Sequence, residues 1–183
     1  MSEEYIGKRH SADKSRRNLL KAGAVLAAAM PIAAGMAGSA AAQEASAATG
    51  QSIQITSNRS TPSVIGDPAQ FSGHAVIDPL FPANEFTGAT GGLVTFAPGA
   101  RTAWHTHPAG QMLIVTEGKG WVQEEGAEKR EIKPGDVVWI PVGVNHWHGA
   151  TDTSGMAHIA ISYMRDGSNV TWGELVTDDE FAK

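Results

Sequence analysis

Residues 99–118 read GARTAWHTHPAGQMLIVTEG, and they contain the most informative spacing of residues in the chain. His105 and His107 are two positions apart, so on a β-strand their side chains point to the same face. Gln111 follows after three residues, and Gly118 ends the stretch after six more. Because imidazole is the most common metal ligand near neutral pH, the spacing indicates that this stretch supplies part of a metal site.

A second pair of histidines lies within residues 135–150, which read GDVVWIPVGVNHWHGA. His146 and His148 again share one face of a strand. The two pairs can bind one ion only if the fold brings their strands together. A lone histidine is more often part of a core or a surface, as we expect for His74, but two such pairs favour a metal site.

The chain around these stretches predicts an all-β domain. Short segments rich in β-branched and aromatic residues recur at Ser52–Ser57, His74–Ile77, Gly92–Phe96, Thr102–His107, Met112–Thr116, Gly120–Glu124, Glu128–Ile132, Val137–Ile140, His146–Gly149 and His158–Met164. Gly, Pro, Asn or Asp residues separate most of them, which is typical of a sandwich or barrel. One short helix is expected within Glu174–Ala182.

Composition and charge exclude several classes of function. The chain has 183 residues and no cysteine, which rules out disulfides, thiolate metal sites and a cysteine nucleophile. Its net charge of −5 argues against binding to nucleic acid, which requires a basic surface. Residues 1–42 carry a net charge of +3 and the remainder carries −8. This asymmetry indicates two parts with different roles.

The basic part has the pattern of an export signal. Arg16 and Arg17 precede an apolar run over 22–37, and small residues at 39–42 suit a signal peptidase. The paired arginines resemble a twin-arginine signal. We therefore expect 1–42 to be a signal peptide read by the twin-arginine export machinery, and the mature protein to be periplasmic or secreted, without membrane association. An uncleaved anchor is disfavoured because the run is rich in Ala and Gly.

The two histidine stretches resemble the two sequence motifs of the cupin superfamily. The first stretch matches the first motif from Gly99 to Gly118, and the second stretch matches the second motif from Gly135 to His146. Two positions depart from the pattern: Gln111 stands where the first motif usually has Glu, and Ala150 stands where the second motif often ends in Asn. The spacing of the fixed positions is otherwise that of the motifs.

The resemblance implies a single-domain cupin fold, which is a jelly-roll barrel or double-stranded β-helix. We expect a flexible linker over 43–50, the cupin domain over 51–183, and its core barrel over about 72–164. Inward-facing side chains of such a barrel line a cavity.

Within that barrel the resemblance implies four metal ligands, His105, His107, Gln111 and His146. Nitrogen and oxygen ligands without thiolate suit Mn²⁺, Fe²⁺, Zn²⁺, Ni²⁺ or Cu²⁺. All four ligands are uncharged, so a bound ion keeps its full double charge, which a Glu ligand would reduce. We expect a strong Lewis acid that binds an anion or polarises a carbonyl group.

A wider set of residues resembles the bacterial manganese-dependent (R)-mandelonitrile lyases, which are cupin hydroxynitrile lyases. The similarity covers the blocks 96–116 and 134–150 and the segments 77–81 and 176–178. It implies that Mn²⁺ is the preferred metal, that the substrate is a small-molecule cyanohydrin, and that the subunits form a homodimer or homotetramer.

The same resemblance assigns catalytic roles to three residues outside the ligand set. Thr102 and His158 match positions near the reacting group. His158 would take the hydroxyl proton of a cyanohydrin, with release of an aldehyde and HCN. His148 would act as a second base or as a hydrogen-bond donor. Ser162 departs from the lyases, which have a larger amide at this position.

Two other functions remain open from the sequence. A cupin dioxygenase of quercetinase type would share the fold, but it is expected to use the acid of the first motif as a base, and Gln111 cannot serve as one. A non-enzymatic periplasmic protein that binds or senses a small molecule would need only the barrel and its metal.

Overall fold

The computed structural model describes residues 52–183, and almost all of their regular structure is β-strand. The residues from Ile53 to Lys183 form one compact unit. The predicted signal peptide, residues 1–42, and the predicted linker, residues 43–50, lie outside the described residues. The nearly all-β architecture confirms the fold class expected from the sequence.

The described residues contain thirteen strands and one short helix. In chain order the strands are β1 (Val64–Ile65), β2 (Phe71–Ser72), β3 (Ala75–Phe81), β4 (Ala89–Phe96), β5 (Arg101–Thr102), β6 (His105–Thr106), β7 (Gln111–Gly118), β8 (Gly120–Glu124), β9 (Arg130–Ile132), β10 (Val137–Ile140), β11 (His146–Ala150), β12 (Met156–Tyr163) and β13 (Thr171–Trp172). The helix, α1, is Asp178–Ala182. No helix within 52–183 has the length and apolar character needed to cross a membrane.

The strands form two curled antiparallel sheets around a common core. The first sheet has the order β1-β3-β4-β12-β7-β10, and the second has the order β13-β6-β11-β5-β2, with β8 paired to β11 and β9 paired to β8. The core takes Phe96, Val115 and Met156 from the first sheet and Ile132 and Ala150 from the second. Burying apolar side chains between the sheets is the main contribution to the stability of such a barrel.

Alternation along the strands determines which side chains face the barrel interior. On β7, every second residue from Gln111 to Val115 is buried. All five residues of β11 are buried because this strand is covered on both faces. His146 and His148 share one face, and Trp147 lies on the other, where it packs on Phe181 of α1 with ring centroids 5.8 Å apart.

Arg101 holds the C-terminal segment against the barrel. Its Nε and Nη2 donate to the carbonyl of Val176 at 3.1 and 2.8 Å, and Nη2 also reaches the carboxylate of Asp178 at 2.7 Å. The side chain of Arg101 is 7% exposed, whereas that of Asp178 is 98% exposed. The ion pair therefore contributes little, and the bonds to the carbonyl do most to fix the segment.

The predicted strand over Ser52–Ser57 is wrong. None of the strand pairings in the described residues includes this segment, and Ile53 and Ile55 are 93% and 85% exposed. Alternation of apolar and polar residues specifies a strand only where a neighbouring strand and a core face are available to it. The first strand of the domain is β1 instead.

The predicted strand over Thr102–His107 is interrupted between β5 and β6. The backbone N–H of Ala103 donates to Gln70 at 2.7 Å, and that of Trp104 donates to Glu174 at 2.9 Å. These two residues therefore bond to segments distant in the chain, and the ladder to β11 resumes at β6.

Replacing Gly118 with alanine should destabilise the barrel more than the same change at Gly126. Both glycines have a left-handed backbone, with φ of 70° and 79°. A Cβ at Gly118 would lie 1.8 Å from the carbonyl oxygen of Gly155, whereas a Cβ at Gly126 would meet nothing within 4 Å. We expect Gly118→Ala to lower the free energy of unfolding by about 1–3 kcal/mol more than Gly126→Ala. Urea unfolding of both variants measures this, and equal losses would contradict it.

Candidate metal and catalytic site

Five histidines gather inside the barrel, and each is at most 3% exposed: His105, His107, His146, His148 and His158. The pairing of β6 with β11 puts His146 directly opposite His105, with ring centroids 4.1 Å apart. The rings of His107 and His148 lie 5.1 and 5.3 Å from that of His105. The fold thus brings the two His-x-His pairs together.

Three of these imidazoles are oriented by backbone carbonyls. Nδ1 of His105 donates to the carbonyl of Ala103 at 2.9 Å, and Nδ1 of His146 donates to the carbonyl of Val144 at 3.0 Å. Nδ1 of His107 donates to the carbonyl of Asn169. A carbonyl only accepts hydrogen bonds, so Nδ1 carries the proton in each ring. Nε2 is then left with a lone pair, which is the arrangement that metal-ligating histidines adopt.

The amide of Gln111 is oriented in a comparable way. Its Nε2 donates to Oγ of Ser162 at 3.0 Å, which leaves Oε1 as the free acceptor. Within the described residues Oε1 has no hydrogen-bond partner, and neither do Nε2 of His107 and Nε2 of His146. Buried acceptors without partners cost free energy, and a cation that binds them would recover it. These atoms therefore fit a metal ion.

Two overlapping sets of histidines are candidate metal ligands, and the spacing of the ligand nitrogens supports one of them. One ligand nitrogen from each of His105, His146 and His148 lies within 4.8 Å of the others, so these three form a group able to hold a divalent metal. The set expected from the sequence has His107 in place of His148. The two sets differ in how the variable histidine is oriented. Nδ1 of His107 is hydrogen-bonded to a backbone carbonyl, whereas Nδ1 of His148 is hydrogen-bonded to another imidazole.

His148 and His158 form a hydrogen-bonded pair within the histidine cluster. Nδ1 of His148 lies 3.2 Å from Nε2 of His158, and Nε2 of His148 has no partner within the described residues. His148 lines the cavity, whereas His158 lies outside its lining and is 0% exposed. Oγ1 of Thr102 accepts from the backbone N–H of His148 at 3.2 Å, which leaves its hydroxyl proton free for another partner.

Burial keeps the histidines uncharged. It lowers the pKa of all five imidazoles, and the pKa values of His146 and His158 fall to about 4. Removal from water disfavours the charged form, and neighbouring imidazoles lower the pKa of His105 and His148 further. At pH 7 the rings are neutral, which is the form that binds a metal or accepts a proton.

A cavity of about 160 Å³ adjoins this cluster. It is lined by Phe71, Val94, Thr102, His105, His107, Gln111, His148, Ala160, Ser162, Asn169, Val170 and Trp172. The cavity therefore has a polar side of imidazoles and amides and an apolar side of aliphatic and aromatic groups. No carboxylate or amine is among these lining residues.

The sequence analysis missed the residues that reach the site from the N- and C-terminal parts of the domain. Phe71, Asn169, Val170 and Trp172 lie outside the motifs, and Trp172 carries no local signal of its role. Pairing of β13 with β6 places Trp172 opposite His105, with ring centroids 4.8 Å apart. This pairing identifies Trp172, and the pairing of β2 with β5 places Phe71 opposite Thr102. Only knowledge of such long-range contacts could have identified these residues.

Comparison with known proteins identifies the family. Residues 92–162 match the Cupin_2 family model, described as a cupin domain. An (R)-mandelonitrile lyase of Granulicella tundricola is 55% identical over 113 residues, which cover 62% of this chain and 86% of the lyase. The chain belongs to the cupin family. The family expected from the sequence motifs is thereby confirmed, and this cupin is similar to a protein named as a lyase.

Solved structures share the fold of this cupin. A cupin-like protein of Thermotoga maritima superposes with a TM-score of 0.62 and 40% identity, covering 70% of this chain and 95% of that protein. A polyketide cyclase of Streptomyces resistomycificus has a TM-score of 0.57 at 14% identity, covering 71% of this chain and 91% of that protein. The second likeness concerns the barrel alone.

We expect the carbonyl-bound histidines to have one common tautomer. In the cupin stripped of metal by a chelator, the nitrogen without a proton should be Nε2 in His105, His107 and His146, because Nδ1 donates to a carbonyl in each. Long-range ¹H–¹⁵N correlation spectra at pH 7 measure this, with exposed His74 as an internal reference. A protonated Nε2 in any of the three would contradict the assignment.

Proposed function

We propose that this cupin is a metal-dependent lyase that cleaves cyanohydrins into an aldehyde and HCN, and forms them in the reverse direction. The observation that carries the proposal is the 55% identity to the Granulicella tundricola (R)-mandelonitrile lyase, which extends over 86% of that enzyme. The buried histidine cluster and its cavity supply groups suited to this reaction.

We further propose that the ion is Mn²⁺, with Fe²⁺, Zn²⁺ and Ni²⁺ as other ions that the donors suit. The ligands would be His105, His107, Gln111 and His146. Support comes from their neutral nitrogen and oxygen donors, three of which have no hydrogen-bond partner in the described residues. When bound, the ion supplies positive charge that stabilises the anion formed as the carbon–carbon bond breaks.

The hydroxyl proton of the cyanohydrin would pass to the pair formed by His148 and His158. His148 faces the cavity, so its Nε2 would meet the hydroxyl. This role requires the tautomer of His148 whose Nδ1 donates to Nε2 of His158, 3.2 Å away. The O–H electrons become the carbonyl bond, and the electron pair of the C–CN bond leaves with cyanide. The proton taken up at Nε2 then returns to cyanide as HCN.

This assignment refines the role expected for His158 from the sequence. The expectation put His158 at the substrate, whereas the geometry favours contact through His148 with His158 behind it. Thr102 would donate its free hydroxyl proton to the substrate oxygen while it accepts from the backbone of His148.

The cavity suits a substrate with one small apolar group. Its volume of about 160 Å³ is close to that of a cavity that accepts benzene, about 150 Å³. Phe71, Val94, Ala160, Val170 and Trp172 form an apolar wall for an aryl or alkyl group. Mandelonitrile, with a single phenyl ring, is therefore a suitable first substrate.

Loss of His107 should remove the metal, whereas loss of His148 should not. Both changes delete one buried imidazole from the same cavity, so each controls for the other. Only His107 has a carbonyl at Nδ1 that turns its Nε2 into a ligand. Elemental analysis of purified His107→Ala and His148→Ala against the wild type measures the bound metal. Loss in His148→Ala with retention in His107→Ala would instead favour the set of His105, His146 and His148.

Racemic mandelonitrile should be cleaved to benzaldehyde and HCN by the metal-loaded cupin. We expect His158→Ala to lower kcat by about 10²–10⁴-fold, because the proton acceptor loses its support, with metal content unchanged. Exposed His74→Ala should behave like the wild type. Benzaldehyde absorbance and elemental analysis measure both quantities.

Two outcomes would contradict the lyase and favour another function. Metal-dependent oxygen uptake with a flavonol, without mandelonitrile cleavage, would indicate a dioxygenase of quercetinase type. Absence of any turnover together with a ligand-dependent rise in Tm would indicate a small-molecule binding protein.

A further inference from the structure

We infer that Ser162 is a positioning residue that selects which end of the Gln111 amide is available to a metal ion. The inference rests on the metal binding proposed above. It concerns how this chain orients an uncharged amide at the position where a carboxylate is more usual.

The register of the first sheet brings the two side chains together. Ser162 on β12 is directly opposite Gln111 on β7. Nε2 of Gln111 donates to Oγ of Ser162 at 3.0 Å, and the two residues are only 4% and 8% exposed. Both side chains line the cavity that His105 and His107 also line.

An amide needs an orienting partner more than a carboxylate does. Either oxygen of a Glu side chain can bind a cation, but Gln has one acceptor end and one donor end. With the amide turned over, the amino group would face the cation, and no ligand atom would be presented. The long Gln side chain also loses rotamer freedom when it is ordered, so an unassisted amide binds a metal at a cost in entropy.

Ser162 meets this need by occupying the donor end. Its Oγ accepts the hydrogen bond of Nε2, and Oε1 is left without a partner within the described residues. Ser162 takes the donor of the Gln111 amide, as the backbone carbonyls take the donors of the histidines, and Oε1 is left free for the ion. A hydroxyl can donate as well as accept, so this role requires the hydroxyl proton of Ser162 to point away from the amide. Partners of this kind commonly change metal affinity when they are removed.

The test compares Mn²⁺ affinity in three single variants of the full-length protein, measured by competition with a chelator. Ser162→Ala removes the acceptor, and we expect its Kd to rise by about 10–100-fold. Ser162→Thr keeps the hydroxyl, so it should restore affinity close to that of the wild type. Thr116→Ala is the matched control, because Oγ1 of Thr116 bridges the same two strands by donating to Ala157 at 3.1 Å. Its Kd should not change.

A double variant separates positioning from a general effect on the barrel. If Ser162 acts through the amide, Ser162→Ala should not weaken binding further in a Gln111→Ala background. Equal Kd values for Ser162→Ala and the wild type would overturn the inference, and so would an undiminished effect of Ser162→Ala in the Gln111→Ala background. A wild-type protein that binds no Mn²⁺ would also overturn it.

The affinity measurement is independent of turnover, so the two proposals can fail separately. Weakened binding in Ser162→Ala, together with no cleavage of mandelonitrile by the wild type, would reject the lyase and keep the role of Ser162. Mandelonitrile cleavage by the wild type, together with unchanged Mn²⁺ affinity in Ser162→Ala, would keep the lyase and reject the role of Ser162.

Discussion

The site depends on one constraint, which is that five neutral imidazoles are buried together without a charged partner. A neutral imidazole has one donor and one acceptor nitrogen, and each buried donor needs an acceptor. Three rings donate to backbone carbonyls, and the remaining two are joined to one another. Because the donors of His105, His107 and His146 are satisfied inside the protein, the acceptor nitrogens of these three rings are left for a ligand. The barrel therefore orients the lone pair at Nε2 of each ring through a hydrogen bond at Nδ1, on the opposite side of the ring.

This constraint makes the C-terminal segment, residues 169–182, part of the site. The carbonyl of Asn169 orients His107, and the ring of Trp172 lies over His105. The segment continues along the second sheet and is fixed where Arg101 donates to Val176. A change that loosens the segment would disturb His107 and the cavity wall at once, although its residues lie far from both motifs in the chain.

The parts of the site that follow from strand periodicity could be predicted from the sequence. His105 and His107, like His146 and His148, were assigned to a common face because side chains alternate along a strand. The partners that orient them could not be predicted, since a carbonyl such as that of Asn169 belongs to every residue type and only the fold selects it. The sequence also could not show that His148 lies closer to the cavity than His158. Alternation along a strand predicts the face to which a side chain points, but it does not predict the distance of that side chain from the cavity. For the segment over Ser52–Ser57 the sequence predicted too much: its residues have the pattern of a strand, but the segment pairs with neither sheet.

The absence of charge among the lining residues bears on the kind of reaction that the cavity favours. The residues that line it include no carboxylate or amine, and burial keeps the imidazoles neutral at pH 7. A divalent cation held by four neutral donors would keep its full charge in a region of low dielectric, where its attraction for an anion is strong. The ligand that best complements such a site brings or develops negative charge at one end and is apolar at the other. Cleavage of a cyanohydrin develops that charge on the substrate and neutralises it again within one turnover by returning a proton to cyanide. Oxidative chemistry at iron would instead be helped by an electron-donating carboxylate, and the side chain at that motif position is the amide of Gln111.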